Sequence, residues 1–302
     1  MRRASWIGLA VSACLVVGTL TFGSEAHAQV RVVSERTVTG LKFPESVAYD
    51  PQGKVLYAGQ FGSELKPAEK DGKGKIARLS LDGKILDDQF LPTGSDVLNK
   101  PKGMWIEGGR LWVTDIDVVW VFDLKSRRGR KAELPGMKFA NDLAVKGNAL
   151  FVTDNRNDLV YRVEPANFLD GAAPTVTPVA SGKGMNPNGI YPAQDGSLLI
   201  VGFMSAEQPR GIYALSPDGQ VKTLADNLGR LDGVYQMADG SLLVTDWNSA
   251  SLSRWSAATG LQTLASGFKG PADFCVVPAA TGLLVVVPDL VKSELRMVEL
   301  GQ

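Results

Sequence analysis

The feature that most constrains this chain is a pattern that recurs six times between residues 44 and 288. Each copy has a small or polar residue, an apolar strand-like run, a turn, and a second apolar run. The copies read PESVAYDPQGKVLYAG, PKGMWIEGGRLWVTD, ANDLAVKGNALFVTD, PNGIYPAQDGSLLIVG, LDGVYQMADGSLLVTD and PADFCVVPAATGLLVVVP. Self-similarity of this kind is typical of propellers and solenoids.

The spacing of the copies favours a propeller. The residues that precede the first strand of each copy are Glu45, Lys102, Asn141, Asn188, Asp232 and Ala272. Their separations of 57, 39, 47, 44 and 40 residues match four-stranded blades, whereas β-solenoid repeats are shorter and more uniform. Two more strand-like runs follow in the first five units, with turn-forming residues between them. We therefore predict an all-β, six-bladed β-propeller with an insertion at residues 60–74 in blade 1.

The last unit predicts how the propeller closes. It is short by one strand, while VRVVSERTV at residues 30–38 has no unit of its own. This N-terminal run is predicted to supply the outer strand of the last blade, which ties the two ends of the propeller together and protects an open edge.

The first 28 residues have the features of a secretory signal peptide. Arg2 and Arg3 precede an apolar run over residues 6–22, and Ala26-His27-Ala28 is a small-x-small cleavage pattern. A membrane anchor and lipoprotein processing at Cys14 are the alternatives. Signal cleavage predicts a periplasmic or secreted protein, with residues 29–302 as a single propeller domain and no membrane span.

Removal of residues 1–28 restricts the available chemistry. The remaining chain has no His and one Cys, Cys275, which excludes a Ser-His-Asp triad, a Cys-His pair and a His-ligated zinc site. Cys275 lies in an apolar run and is interpreted as a core residue. The charge is balanced, at 30 Lys and Arg against 31 Asp and Glu, and no basic stripe indicates nucleic acid. A monomer that binds a small molecule is expected.

The six aligned residues open the innermost strands and should form a ring at one mouth of the central channel. Glu45, Asn141, Asn188 and Asp232 would bring two carboxylates and two amides to this ring. Oxygen donors of this kind suit a hard cation such as Ca²⁺, Mg²⁺ or Mn²⁺. The alternative is that Asn188-Gly189 and Asp232-Gly233 are ordinary turn dipeptides.

These residues also carry a resemblance to a known family. Glu45 in FPESVAYD, Asn141 in ANDLAV, Asn188 in NPNGIY and Asp232 in LDGVY resemble the motifs of the senescence-marker-protein, gluconolactonase and luciferin-regenerating-enzyme family. The resemblance spans nearly all of residues 40–300. The chain differs from the family in having Glu45-Ser46-Val47 in place of Glu-Gly-Pro, and in having Lys102 in the ring.

The resemblance implies a cofactor and a substrate class. Glu45, Asn188 and Asp232 would hold one divalent cation. Ca²⁺ is preferred because an exported protein meets it most readily and its flexible coordination tolerates mixed amide and carboxylate ligands, with Mg²⁺, Mn²⁺ or Zn²⁺ possible. Asn141 would contact substrate or water on the cation. The substrates would be sugar lactones or related small cyclic esters.

A hydrolase without His would depend on the cation to polarise the carbonyl. Asp232 or Glu45 would accept a proton from water, and Asn141 and Asn188 would orient the reactants. Lys102 has three alternative roles. It snorkels or pairs with Asp142 or another rim carboxylate, it offsets the ring carboxylates and weakens cation binding, or it receives an anionic substrate or oxyanion.

The alternative function is a non-catalytic periplasmic propeller that binds a small ligand or a protein partner, since propellers support both roles. Asp115, Asp154 and Asp246 each end a second strand and are interpreted as hydrogen-bond acceptors that stabilise turns. Trp247 is interpreted as blade packing that could also line the pocket.

Overall fold

The computed structural model describes residue 1 and residues 30–181, 184–280 and 282–301. In these ranges the chain contains 24 β-strands and no helix. The strands form six four-stranded antiparallel sheets, which are the six blades of a β-propeller, so the predicted fold is confirmed. No helix in the described ranges is long and apolar enough to cross a membrane. The predicted signal peptide lies almost entirely outside the described residues.

The strands follow one another blade by blade, from the channel outwards. The first strand, β1 (Arg31–Val38), belongs to blade 6. Blade 1 contains β2 (Pro44–Asp50), β3 (Val55–Gln60), β4 (Lys75–Ser80) and β5 (Ile85–Leu91). Blade 2 contains β6 (Pro101–Glu107), β7 (Arg110–Asp115), β8 (Val118–Asp123) and β9 (Gly129–Glu133). Blade 3 contains β10 (Ala140–Lys146), β11 (Ala149–Asp154), β12 (Leu159–Glu164) and β13 (Thr175–Ser181).

The second half of the chain repeats this order. Blade 4 contains β14 (Pro187–Pro192), β15 (Leu198–Gly202), β16 (Arg210–Leu215) and β17 (Val221–Gly229). Blade 5 contains β18 (Leu231–Gln236), β19 (Leu242–Asp246), β20 (Ser251–Ser256) and β21 (Gly260–Ser266). Blade 6 contains β22 (Cys275–Ala279), β23 (Gly282–Asp289) and β24 (Glu294–Gly301).

The N-terminal strand completes the last blade, as the sequence predicts. β1 pairs antiparallel with β24, so that Arg31 lies opposite Gly301 and Val38 lies opposite Leu295. The outer edge of blade 6 is therefore strand β1. The first and last strands of the propeller are held in one sheet.

The hydrophobic core lies between neighbouring blades. The second strands are buried on both faces, because each blade packs between two others. One cluster joins blades 2 and 3 through Trp112, Val121, Leu143 and Val152. The indole N–H of Trp112 donates to the Ala166 carbonyl at 2.8 Å, so this buried donor is satisfied.

A recurring Asp fixes the loop that leads into each innermost strand. Asp115 accepts the backbone N–H groups of Asn99 and Lys100, each at 2.7 Å. Asp154 and Asp246 accept corresponding N–H groups from Lys138 at 2.7 Å and Arg230 at 2.9 Å. Asp289 does the same in blade 6, for Lys269 and Gly270. The prediction that Asp115, Asp154 and Asp246 stabilise turns is confirmed.

The insertion at residues 60–74 is tied down beside blade 2. The fully buried Lys100 donates from Nζ to the Phe61 carbonyl at 3.1 Å and to Asp71 Oδ2 at 2.6 Å. Gly62 has a φ of +86°, and a Cβ there would meet the Lys73 carbonyl oxygen at 2.0 Å, so only glycine fits this turn. The insertion therefore places Phe61 next to the beginning of β6.

Candidate functional site

The six aligned residues lie at one mouth of the channel. Five of them are the second residue of an innermost strand, and Ala272 precedes β22. All six are buried, with none more than 6% exposed. In blades 1 to 5 the register with the second strand shifts next to this residue. Such bulges re-aim side chains, and here they occur where the strands enter the channel.

Threonine hydroxyls hold the ring backbone together across blades. Thr114 of blade 2 donates to the Asn141 carbonyl of blade 3. Thr153 of blade 3 donates to the Asn188 carbonyl of blade 4 at 2.6 Å, and Thr245 of blade 5 donates to the Ala272 carbonyl at 3.1 Å. The Thr-Asp pair that ends a second strand therefore fixes two things: the entry loop of its own blade and the ring residue of the next.

The ring brings its amides and carboxylates together. Asn141 Nδ2 donates to Asn188 Oδ1 at 2.5 Å. The indole N–H of Trp247 donates to Asp232 Oδ2 at 2.9 Å, a role that the sequence analysis missed. Glu45 Oε2 is buried and has no hydrogen-bond partner among the residues that the structure describes. An unpaired buried acceptor is costly, so this carboxylate lacks a partner that its position requires.

The electrostatics of the ring reflect crowded, desolvated carboxylates. Burial, and then the neighbouring charge of Asp232, raise the pKa of Glu45 well above its usual value. Burial and the charge of Asp273 raise the pKa of Asp232 to about 8, although hydrogen bonds from Trp247 and Asn188 oppose this. Nearby positive charge would favour the ionised forms of both carboxylates.

Lys102 lies in the ring as predicted, but not in an ion pair with Asp142. Its Nζ donates to the Lys100 carbonyl at 3.1 Å and lies 4.4 Å from the ring centroid of Phe139. Burial lowers the pKa of Lys102 to about 8, with Glu45 giving the main opposing effect. Asp142 instead accepts the N–H groups of Leu143 at 2.7 Å and Ile190 at 2.8 Å. Pairing of Lys102 with Asp142 is therefore wrong.

A second layer of carboxylates lies directly behind the ring. Asp142 and Asp273 each follow a ring residue by one position, where the other blades have Ser46 or Gly. Asp273 Oδ2 accepts the hydroxyl of Ser46 at 2.8 Å, and burial raises the pKa of Asp273 to about 7. Burial, and then Asp273, raise the pKa of Asp142. The sequence could have indicated this second layer, because Asp142 and Asp273 occupy a repeat position that holds Ser or Gly in the other four blades.

Outside the ring, cations lie over aromatic rings. The exposed Arg156 lies 4.3 Å from the centroid of Phe139, on which Lys102 also packs. Phe203 and Trp247 meet edge to face at 5.5 Å, and Arg230 lies 5.6 Å from the Phe203 centroid. This mouth therefore presents aromatic surface together with positive charge.

The ring residues fit a hard cation by the chemistry of their donors. Glu45 has a buried oxygen without a partner, Asp232 has one oxygen held by Trp247, and Asn188 Oδ1 has a further lone pair. In the part of the chain that the structure describes, no group of three or more His, Cys, Asp or Glu side chains is arranged to hold a metal. A cation at this mouth would therefore need the amide oxygen of Asn188 as well as the two carboxylates.

Comparison with known proteins identifies the fold. No family model matches the sequence, and neither does any curated protein. Virginiamycin B lyase from Staphylococcus aureus is a similar solved structure, with 16% identity and a TM-score of 0.60 over 91% of this chain and 100% of that chain. A chain in a nidogen/laminin complex is 16% identical, with a TM-score of 0.55 over 89% of this chain and 94% of that one.

A protein of unknown function from Bacteroides thetaiotaomicron is also similar, with 14% identity and a TM-score of 0.62 over 90% of this chain and 76% of that chain. At these identities the likeness shows the six-bladed propeller fold alone. Some structural neighbours are enzymes, as the lyase shows. The resemblance to the gluconolactonase family remains a prediction.

Proposed function

We propose that this protein is a divalent-cation-dependent hydrolase of small lactones or related cyclic esters. The observation that carries the proposal is the buried, unpartnered Oε2 of Glu45 beside Asp232, with the Asn141–Asn188 amide pair in the same ring. Glu45, Asn188 and Asp232 would hold the cation, with Ca²⁺ preferred. When bound, the cation supplies Lewis-acid polarisation of the carbonyl.

The chain's own residues supply the remaining functions. Asp232 is the better general base, because the hydrogen bond from Trp247 fixes its carboxylate and the charge of a bound cation would favour its ionised form. Asn141 is held in place by Asn188 and can orient a carbonyl or a water molecule. Glu45 is a second acceptor in the same ring.

Lys102 is suited to stabilise an oxyanion. Among the described residues its ammonium makes one hydrogen bond, to the Lys100 carbonyl, so two of its three N–H donors are available. A preorganised donor in a buried site stabilises developing negative charge strongly. Arg156 and Arg230 outside the ring would favour substrates or hydroxy-acid products with negative charge.

A second candidate is a non-catalytic propeller that binds a small ligand or a protein partner. The observation that favours it is Lys102, since its charge acts on Glu45 and would oppose a cation in the ring. The structural neighbours include a lyase and a chain of a nidogen/laminin complex, so the fold accommodates both catalysis and binding.

The test measures cation content and hydrolysis together. The purified protein is analysed for bound metal and assayed against a panel of sugar and aliphatic lactones, with and without chelator. We expect one bound divalent cation per chain and hydrolysis that chelator abolishes and Ca²⁺ restores. Glu107→Gln, at an exposed acid on the opposite end of β6, is the control. Absence of cation and of lactone hydrolysis would leave the binding function.

Export is part of the proposal. We propose a periplasmic or secreted monomer that has lost residues 1–28. N-terminal sequencing of the protein from the cell envelope or medium should give Gln29 as the first residue, whereas an intact N-terminus would contradict cleavage.

A further inference from the structure

Behind the ring, the channel contains a second site on the side of the opposite mouth. A cavity of about 260 Å³ is lined by innermost-strand residues from all six blades. The lining begins at Asp142 and Asp273, one position after the ring, and extends to residues such as Tyr49 and Tyr235 further along these strands. The carboxylates Glu45 and Asp232 therefore belong to the ring, and the second layer, Asp142 and Asp273, belongs to the cavity. The ring and the cavity face opposite ends of the channel.

The inner end of this cavity is lined by two carboxyl groups. Asp142 and Asp273 lie there, and no Lys or Arg is among the described residues that line the cavity. Asp273 is half-buried and Asp142 is 6% exposed. Each accepts hydrogen bonds from uncharged groups, namely Ser46 for Asp273, and Leu143 and Ile190 for Asp142. A bound ammonium group would favour the ionised forms of these desolvated carboxyl groups and donate charge-assisted hydrogen bonds to them.

The walls of the cavity are aromatic. Trp105 and Tyr191 lie 6.1 Å apart between ring centroids, and Tyr191 and Tyr235 lie 5.0 Å apart, both pairs tilted. The indole N–H of Trp105 is buried and has no hydrogen-bond partner within the described ranges. Aromatic rings around a cavity offer a large surface for packing against an apolar body, and an apolar cavity with a few polar groups is the usual form of a small-molecule site.

We propose that this cavity binds a small organic cation, an ammonium group on an aromatic or aliphatic body. The ammonium group lies at Asp142 and Asp273, and the apolar body lies among Trp105, Tyr191 and Tyr235. An inorganic cation would leave the aromatic walls without a partner, and an anion would meet two uncompensated carboxylates. This site is separate from the proposed hydrolase function, because it uses neither Glu45 nor Asn188.

The experiment titrates the full protein, in chelator, with phenethylammonium chloride and with its uncharged counterpart 2-phenylethanol, using isothermal calorimetry. We expect phenethylammonium to bind and 2-phenylethanol to bind at least about tenfold more weakly, because a charge-assisted hydrogen bond is lost. Equal binding of the two compounds, or binding of neither, would overturn the proposal.

Variants place the bound amine in the cavity. Asp273→Asn keeps the acceptor for Ser46 and should weaken phenethylammonium binding about tenfold or more, and Tyr191→Leu should weaken it without removing a charge. Glu107→Gln, an exposed acid outside the cavity, and Asn188→Ala, in the ring, should leave it unchanged. Loss of binding in Asn188→Ala with retention in Asp273→Asn would assign the amine to the ring and overturn the proposal.

Cys275 gives a readout that needs no change in the protein. Cys275 is one of the residues that line the cavity and is the free cysteine of the described chain. A cationic aminoethyl methanethiosulfonate should modify Cys275 faster than the anionic sulfonatoethyl reagent. The ratio of the two modification rates should be larger in the folded protein than in the unfolded protein. Phenethylammonium should protect the thiol from both reagents. A ratio equal to that of the unfolded protein, with no protection, would contradict an acidic site for cations.

Discussion

The two ends of the channel differ in the balance of their charges. At the ring, Glu45 and Asp232 are interleaved with Lys102, and Arg156 lies outside on the face of Phe139. In the cavity, Asp142 and Asp273 have no Lys or Arg beside them among the described lining residues. The same six strands thus build one mouth that suits a cation together with an anionic or polar substrate, and one that suits a cation alone.

The comparison shows that adjacent residues of one strand can belong to two different sites of a propeller. Asn141 faces the ring, where it bonds Asn188, whereas Asp142 lines the cavity and bonds the N–H of Ile190. The register shift between Ala140 and Leu143 lets consecutive residues serve opposite ends of the channel. Function at each end can therefore be changed by substitution at a single position per strand.

Loss of a ring carboxylate should give the largest effect. Asp232→Asn and Glu45→Gln remove proposed ligands of the cation, and loss of even a supporting residue around a metal typically costs 10- to 100-fold in affinity. We therefore expect cation affinity to fall by at least about 100-fold and lactone hydrolysis to fall to background. Calorimetric cation titration of each variant measures this. Unchanged affinity in both variants would show that the ring does not hold the cation.

Lys102→Met should separate catalysis from cation binding. Removing the ammonium removes repulsion from the ring, so cation affinity should rise, while loss of the oxyanion donor should lower kcat by about 100- to 1,000-fold. Steady-state kinetics at saturating cation, together with the titration, give both quantities. A variant with unchanged kcat and weaker cation binding would assign Lys102 a packing role over Phe139.

The fold could be predicted because its signals repeat. Six copies of one pattern specify the strands, and the unmatched run at residues 30–38 specifies closure, which the pairing of Arg31 with Gly301 confirms. The ring positions followed from the same alignment, since equivalent residues of a repeat occupy equivalent places around the channel. Each of these inferences needed only the spacing of residues along the chain.

The contacts around the ring could not be predicted, because they depend on side-chain direction after the bulge. Simple alternation of strand side chains would place Asn141 and Asp142 on opposite faces of the blade, whereas the register shift directs both into the channel. The hydrogen bond from Trp247 to Asp232 joins residues from different strands, and no local pattern indicates it. The role of Lys102 was left open, since burial and partners decide it.

The cavity end should make stability depend on pH. The pKa of Asp273 is raised to about 7, so in this range the folded protein binds more protons than the unfolded chain, and stability is lost as pH rises. The window runs from about pH 4, the unfolded value, to about pH 7. Glu45, Asp142 and Asp232 have pKa values shifted in the same direction.

Comparison with Asp273→Asn measures this contribution together with the effect of the Asp273 charge on Asp142 and Asp232. Urea unfolding of both proteins in chelator from pH 4 to pH 8 should show the variant gaining stability relative to the parent as pH rises. The gain should be on the order of 1–2 kcal/mol, which allows for the half-exposure of Asp273. A constant difference across this range would show that Asp273 titrates normally. Glu107→Gln should give no pH-dependent difference.

The smallest effect is expected from Thr153, whose hydroxyl contacts a residue of the ring and a residue of the cavity. Thr153 Oγ1 accepts the N–H of Asp142 at 2.9 Å and donates to the Asn188 carbonyl at 2.6 Å. Thr153→Val keeps the shape and removes both bonds, so unfolding stability should fall by about 1 kcal/mol. Cation affinity should fall as well, because the backbone of Asn188 loses its support.

Thr245→Val is the matched control for this change. Thr245 makes the equivalent bonds, accepting from the Gly233 N–H at 2.8 Å and donating to the Ala272 carbonyl at 3.1 Å. The side chain of Ala272 cannot act as a ligand to a cation. Gly233 directly follows Asp232, a proposed ligand, so Thr245→Val can still have a smaller effect on cation affinity. Both variants should therefore lose similar stability in urea unfolding, with the larger loss of cation affinity in Thr153→Val. Equal affinity in the two variants would mean that the position of Asn188 does not depend on the threonine of the preceding blade.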